Sequence, residues 1–237
     1  MIDTHCHLLP ALDDGPPDLE AALALARQLV DAGVSAVLCT PHFSRRYPTS
    51  AEAARERLVE LRGELFERGV RLRLRLAAEV SPAFVAAEPS HALIARSIGG
   101  FLLVELEPTT PSSFLETALE RLAQDDLRPV FAHPERCAGA RSQPRLLEEA
   151  RAGGALVQVV ASSLTGRFGS EIEAAAWRLL ENGGVDLLAS DAHRHRAEGS
   201  HLEHALALVS ERLGAEALRE LTERGPARVV DAAARPA

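Results

Sequence analysis

Apolar and polar positions follow two rhythms along the chain. Short, near-continuous apolar runs rich in Val, Ile and Leu recur at 2–5, 34–39, 72–78, 101–106, 129–132, 155–160 and 185–189. Runs of that length predict strands covered on both faces of a sheet. Between them lie longer stretches at 17–32, 51–68, 112–124, 143–152, 169–183 and 200–213, with a final turn at 215–224. Their apolar residues return at helical spacing. Pro17 and Asp18 suit a first helical turn, and Gly33, Gly69, Gly153 and Gly183 suit C-terminal caps. Strand–helix alternation implies parallel pairing through right-handed crossovers. Seven such units without a compositional break predict a single α/β domain over residues 1–237, folded as a closed or nearly closed (β/α) barrel. An open doubly wound sheet is the competing architecture. The chain beyond about residue 226 reads as a frayed tail.

The placement of histidines and acids changes the picture from fold to chemistry. His5 and His7 end the first strand, where a period of two puts both imidazoles on one face. His42 follows the second strand, Glu79 the third, and Glu105 lies near the end of the fourth. His133 follows the fifth strand, and Asp191 and His193 follow the seventh. Asp13 and Asp14 occupy the loop after the first. In a (β/α) barrel these strand ends converge on one face, where active sites lie. Each residue also has a plain reading: Glu105 ion-paired with an arginine, Asp191 a helix N-cap, a lone His-x-His no site at all. His91, His195, His201 and His204 lie in polar segments and read as solvated. Six of seven strand ends offering a ligand favour a multinuclear metal centre. Imidazole and carboxylate without thiolate suit Zn, Mn or Fe rather than a cysteine-rich structural zinc site.

Arg136, three residues past His133, is the candidate clamp for a phosphate's non-bridging oxygens. Its plain reading is a surface arginine paired with Glu135. Arg194 and Arg196 are further phosphate candidates. Ser162, in the polar loop after the sixth strand, either lines the substrate side or turns the chain. Cys39 and Arg45 have the bare Cys-x5-Arg spacing of thiolate phosphatases. However, that loop lacks the glycines that wrap a phosphate, and Cys39 ends an apolar strand where burial blunts a thiol.

Composition narrows the classes further. Apolar residues make up 46% and charged residues 25% of the chain, which excludes disordered, collagenous and coiled-coil classes. A net charge of −8 argues against a nucleic-acid surface. No apolar run is long enough for membrane insertion, and the MIDTHCH start lacks a signal-peptide pattern, so a cytoplasmic protein is expected. Cys6, Cys39 and Cys137 form no disulfide framework.

The ordered set DTHCH, DDGP, TPH, AAE, LVELE, AHPER, SSLTGRFG and SDAH resembles the polymerase and histidinol phosphatase (PHP) superfamily. Within it, the resemblance is to the bacterial capsule-associated, metal-dependent tyrosine-protein phosphatases, from residue 1 to about 195. The resemblance implies a distorted (β/α)7 TIM-like barrel with a trinuclear metal site at the C-terminal ends of the strands. Manganese is the implied metal, with Fe, Zn or Mg as alternatives. The family's ligand positions fall on His5, His7, Asp14, His42, Glu79, Glu105, His133, Asp191 and His193, and its phosphate-binding arginine on Arg136. A second family arginine would fall near Glu198, leaving Arg194 or Arg196 to substitute. The implied activity is hydrolysis of phosphotyrosine on the tail of a tyrosine autokinase that controls capsule or exopolysaccharide export. A hydroxide generated on the metals would attack in line, and His42 or His193 would assist proton transfer. A histidinol-phosphate phosphatase and a non-catalytic metal-binding barrel are the alternatives. The leucine-rich helices 17–32 and 200–213 are available either to the barrel or to a second subunit in a homo-oligomer.

Overall fold

The structure, a computed structural model, describes residues 1–193 and 198–232; Arg194 and Arg196 lie outside the described residues. Its strands are β1 (Ile2–Cys6), β2 (Ala36–Cys39), β3 (His42–Phe43), β4 (Arg73–Leu76), β5 (Glu79–Val80), β6 (Phe101–Glu105), β7 (Arg128–Ala132), β8 (Leu156–Val160) and β9 (Leu187–Ala189). All inter-strand pairing is parallel, in one sheet of order β1-β2-β4 and another of order β3-β5-β6-β7-β8-β9. The alternating strand and helix rhythm is therefore realised as an α/β fold built on parallel sheets.

The runs 34–39 and 72–78 each give one strand, β2 and β4, and each is followed after a two-residue gap by a short unexpected strand, β3 and β5. Pro41 has no N–H to give the ladder, so the chain steps out between β2 and β3. The neighbouring chain breaks in register with it, at Ala77 and Ala78, between β4 and β5. Backbone bonds carry the ladder across the gap, from Ala77 N–H to Cys39 O (3.0 Å) and from Glu79 N–H to Pro41 O (3.2 Å). Beyond the gap His42 lies directly opposite Glu79. At the other end, the segment after β9 meets β1: Cys6 bridges Ala192, Asp191 N–H donates to His5 O, and His7 N–H donates to Ala192 O, both at 2.9 Å.

The long amphipathic stretches become α1 (Leu19–Asp31), α2 (Ala51–Glu67), α5 (Phe114–Ala123), α7 (Pro144–Ala152), α9 (Ser170–Glu181) and α10 (Glu198–Arg219). Asp18 caps α1 by accepting from Ala21 N–H, so Pro17 and Asp18 precede the helix rather than open it. Four short helices escaped the periodicity: α3 (Pro82–Ala87), α4 (Ser90–Ile94), α6 (Ala138–Ser142) and α8 (Ala161–Leu164). One or two turns are too few to show a repeat. Gly33, Gly69 and Gly183 adopt the left-handed backbone of a C-terminal stop, but at 153–154 that role falls to Gly154 (φ 99°) instead of Gly153. Helix α1 contributes Leu23, Leu25 and Leu29 to the main core, and α10 contributes Leu202, Ala205 and Val209. Both helices thus turn an apolar face into their own chain.

The expected frayed tail is corrected over its first part. Helix α10 breaks at Gly214 (φ 86°), a π-helical turn follows at Glu220–Arg224, and α11 (Gly225–Ala232) ends the described chain. Val229 and Val230 pack with Leu38, Leu103, Val130 and Leu187 at the amino-terminal side of the sheet. Arg75 donates to Val230 O at 2.9 Å and ties α11 to β4. Two valines among Ala, Arg and Pro gave too weak a pattern to read.

Candidate metal centre

All nine candidate ligands come together at the carboxyl ends of the strands, in four overlapping groups whose donor atoms lie within 4.8 Å of one another. The groups are His5–Glu79–His133, His5–His7–Asp191, His7–Asp14–His42–His193 and His42–Glu79–Glu105. Strand geometry accounts for the convergence. His5 and His7 share a face of β1 and its extension, and β3–β5 register sets His42 Nδ1 3.0 Å from Glu79 Oε2.

Hydrogen bonds on the far side of the rings fix what the near side offers. His5 Nδ1 donates to Gln158 Oε1 (2.8 Å), and the Gln158 amide donates onward to Thr4 Oγ1 (2.8 Å). His7 Nδ1 donates to Asp13 Oδ2, also at 2.8 Å. With both Nδ1 atoms protonated, the two Nε2 lone pairs face each other across 3.2 Å. Glu79 Oε2 is 3.4 Å from each, and Asp191 Oδ1 is 3.3 Å from His5 Nε2. Asp14 Oδ1, buried nearby, has no well-formed hydrogen bond among the described residues, with His193 Nε2 and His42 Nε2 at 3.4 and 3.5 Å. Acceptors facing acceptors with no donor between them repel, and a cation is what such a shell fits. The hydrogen-bonded carboxylate and amide behind the imidazoles are the usual support for metal-binding histidines.

Without a cation the cluster can relieve itself only by taking up protons. Burial opposes the charged form of His5, yet Glu79 and Asp191 outweigh it and raise its pKa to about 9. Burial likewise opposes protonation of His42, while Glu79 and Glu105 push it up to about 10. Burial together with the Glu79 charge raises Glu105 to about 7. Asp191 is held down at about 2, because His5, His193 and His133 overcome its burial.

Two of the candidate ligands sit on strained backbone. His133 (φ 38°) and Asp191 (φ 52°) are left-handed non-glycine residues just past β7 and β9. That conformation costs about 1 kcal/mol and is held by the surrounding bonds. In the turn that follows His133, Arg136 Nη1 donates to Asp191 Oδ2 (2.9 Å), and its guanidinium carbon lies 4.6 Å from the Phe168 ring centre. Glu135 is not its partner: it is fully buried, accepts from Val160 N–H (3.3 Å), and its carboxyl is raised to about 7 by burial.

A cleft of about 270 Å³ opens over the cluster, lined by Asp14, His42, Glu79, Glu105, His133, Arg136, Asp191 and His193. Ser44, Arg46, Tyr47 and Glu107 complete its wall. Ser162 does not line the cleft; it is buried in α8, where its carbonyl accepts from Arg167 N–H and Thr165 Oγ1. Cys39 is fully buried, and burial pushes its thiol far up, so it offers no nucleophile to the cleft. Sequence reasoning placed Asp13 at the rim without a partner and gave no role to Asp3, Gln158 and Ser190. Asp3 is buried and accepts from Ser190 Oγ (2.6 Å), Ser190 N–H (3.0 Å) and His5 N–H (3.3 Å), tying β1 to the segment after β9. Gln158 did leave a signal, as the one polar residue of the apolar run ALVQVV.

A parallel α/β fold with imidazoles and carboxylates gathered at its strand ends defines a chain with a candidate multinuclear metal centre. The model of the capsular polysaccharide synthesis family CpsB/CapC matches residues 1–231. The chain belongs to that family. It is 31% identical over 230 residues to the tyrosine-protein phosphatase YwqE of Bacillus subtilis (strain 168), covering 94% of this chain and 89% of that one. It is 24% identical over 238 residues to the tyrosine-protein phosphatase CpsB of Streptococcus pneumoniae, covering 97% and 98% of the two chains. A solved structure from work on YwqE and CpsB, described as metal-dependent tyrosine phosphatases, superposes with a TM-score of 0.84 at 28% identity, covering 97% of this chain and 94% of that one. Histidinol phosphate phosphatase of Lactococcus lactis, at a TM-score of 0.56 and 10% identity over 89% and 92% of the chains, shares the fold alone.

Proposed function

We propose that this chain is a metal-dependent phosphomonoesterase that hydrolyses phosphotyrosine on protein. The observation that carries the reading is the shell of facing lone pairs, His5 Nε2, His7 Nε2, Glu79 Oε2 and Asp191 Oδ1, beneath a cleft that also presents Arg136. The ligands in this reading are His5, His7, Asp14, His42, Glu79, Glu105, His133, Asp191 and His193. Their four overlapping groups suit three ions, and the mixed donors without thiolate suit manganese. Divalent ions bound there supply Lewis acidity and an activated water.

The chain's own residues do the rest. Arg136 is steadied through Nη1 on Asp191, which leaves its other N–H groups for non-bridging phosphoryl oxygens, where transition-state charge collects. A tyrosyl phenolate, with a reference pKa of about 10, leaves without strong acid help. His42 and His193, flanking Asp14 Oδ1 at 3.5 and 3.4 Å, stand at the outer edge of the cluster, where a proton can be passed to it. The bonds between His5 and Asp191 and between His7 and Ala192, with β2–β3 and β4–β5 each counted as one broken strand, support a (β/α)7 barrel closed between β9 and β1. The relatives' names and the capsule family support a tyrosine kinase of capsule export as substrate, met on the cytoplasmic side where such a kinase uses ATP.

The test is metal analysis beside turnover of an aryl phosphate, in wild type and His133→Ala. Wild type should retain divalent metal and lose activity reversibly to a chelator, and His133→Ala should lose both. Metal-loaded wild type without turnover overturns the reading.

A further inference from the structure

Two guanidinium groups line the cleft, and they are placed differently. Arg136 is engaged with Asp191. Arg46 shares the cleft with Asp14, Glu79, Glu105, Glu107 and Asp191, yet no ion pair joins it to any carboxylate among the described residues. It lies against Tyr47, whose ring centre is 5.1 Å from the guanidinium carbon. The Tyr47 ring in turn stacks on His42, with centroids 5.5 Å apart and planes 11° from parallel.

The loop that carries this stack is built rather than loose. Ser44 N–H donates to Tyr47 O (3.1 Å), Tyr47 N–H donates to Ser44 Oγ (3.2 Å), and Phe43 bridges Pro48. Thr49 anchors its far end through Leu12 O (3.4 Å), and Arg96 donates to Thr49 O (3.1 Å). A turn closed this way holds Arg46 out over an aromatic face, where a flexible arginine would otherwise collapse onto the carboxylates below.

The height of the stack decides what Arg46 can meet. His42 belongs to the cluster, and Tyr47 and then Arg46 follow it along the stack, with His42 and Tyr47 half-buried and Arg46 exposed. All three line the cleft, so a phosphoryl group held at the cluster would direct its aryl ring toward the exposed end of this stack. Arg46 stands beside whatever the ring is attached to.

Resting on the phosphotyrosine reading above, we propose that Arg46 is a specificity-determining residue, which binds a second anionic group next to the phosphotyrosine of the substrate. A carboxylate or a second phosphoryl group has the chemistry to fill it. Neighbouring Arg45, also exposed and without an ion pair among the described residues, adds positive charge to the same loop.

The test uses the metal-loaded enzyme and three phosphotyrosyl peptides that differ only beside the phosphotyrosine: neutral flanks, glutamate flanks, or a second phosphotyrosine. The readouts are kcat/KM and, with non-hydrolysable phosphonate versions, calorimetric affinity. Wild type should favour the anionic flanks by about fivefold or more, as a charge-assisted pair at an exposed site allows. Arg46→Gln should bring that ratio close to one, and Arg46→Lys should keep most of it. A preference confined to the doubly phosphorylated peptide identifies a phosphoryl group as the second anion; a preference shared by both identifies any anion. Wild type that turns over all three peptides equally, or a preference that survives Arg46→Gln, overturns the assignment alone. Absence of turnover and binding for every peptide instead refutes the phosphatase reading, and this one with it.

Discussion

Asp13 is the residue on which the proposed metal centre can be tested without touching a ligand. Its Oδ2 accepts from His7 Nδ1 (2.8 Å) and from His42 N–H (2.9 Å), and its Oδ1 accepts from Gly15 N–H (2.9 Å). Asp13→Ala therefore strands three donors around one largely buried carboxylate. Each loss costs about 1–3 kcal/mol in a dry site, and water entering from the cleft offsets part, so about 3 kcal/mol of stability should be lost. The effect on metal should be separate and specific. Without the carboxylate, His7 is free to change tautomer and turn its Nε2 away from the cluster, which should cost about 10- to 100-fold in metal affinity. The Asp13 carboxyl is itself held below its usual value: burial opposes its charge, but the His7 hydrogen bond and charge prevail. A depressed folded pKa contributes stability above the unfolded value of 3.8 that is lost as pH falls through the folded value. The stability gap between wild type and Asp13→Ala should accordingly be widest near neutrality and close in acid. Chelator competition gives the affinity, and thermal unfolding of the metal-free proteins across pH gives the gap. Asp13→Asn, which keeps one acceptor but sets an NH2 against the remaining donors, should fall between the two proteins. Metal affinity within twofold of wild type in Asp13→Ala would refute this argument, whatever its stability.

Proton release is a second prediction. His5 and His42, raised to about 9 and about 10, carry protons at neutral pH in the metal-free protein, so metal loading should expel protons and affinity should climb until that range. For the metal-free protein the sign is opposite: stability from these raised histidines is complete below their ordinary 6.5 and is lost as pH rises toward their folded values. Calorimetry in buffers of different ionisation enthalpy counts the protons, and a count of zero contradicts the cluster. Cys39→Ser should leave aryl phosphate turnover near wild type, whereas an inactive but folded and metal-loaded variant would restore the thiolate mechanism. Val229→Ala, at a residue 2% exposed beneath the sheet, should cost about 2 kcal/mol in urea unfolding; no measurable loss would mean that α11 does not cover the sheet.

Local pattern made much of the fold and the clustering of the candidate ligands legible. His5 and His7 follow from a period of two, and His42, Glu79 and His133 from the rule that strand ends carry chemistry. What stayed hidden depends on partners distant along the chain. Gln158 lies 153 residues from the His5 it orients, and Ser190 lies 187 from Asp3. Nothing in DTHCH says that its aspartate faces a serine near the other end of the sequence. Arg46 was equally silent, because a loop arginine acquires meaning only when a turn sets it on Tyr47 above the cluster. The broken strands show the same limit: Pro41 was visible, but the matching step at Ala77 and Ala78 follows from pairing rather than from those residues.

The strained positions show how the cluster and the fold depend on each other. His133 and Asp191 hold left-handed backbone through His133 N–H to Gln158 O (2.8 Å) and Asp191 N–H to His5 O (2.9 Å). The bonds that impose the strain thus run to Gln158 and His5, the pair that also fixes the His5 tautomer. Relaxing either backbone would release about 1 kcal/mol locally while unpairing strand ends and turning a donor away from the centre. Backbone hydrogen bonds of the fold thus set where these two candidate donors stand. A cation that binds this shell, and not the unfolded chain, would add its binding free energy to stability. Strained backbone and clustered carboxylates at the strand ends are then what a bound cation would offset.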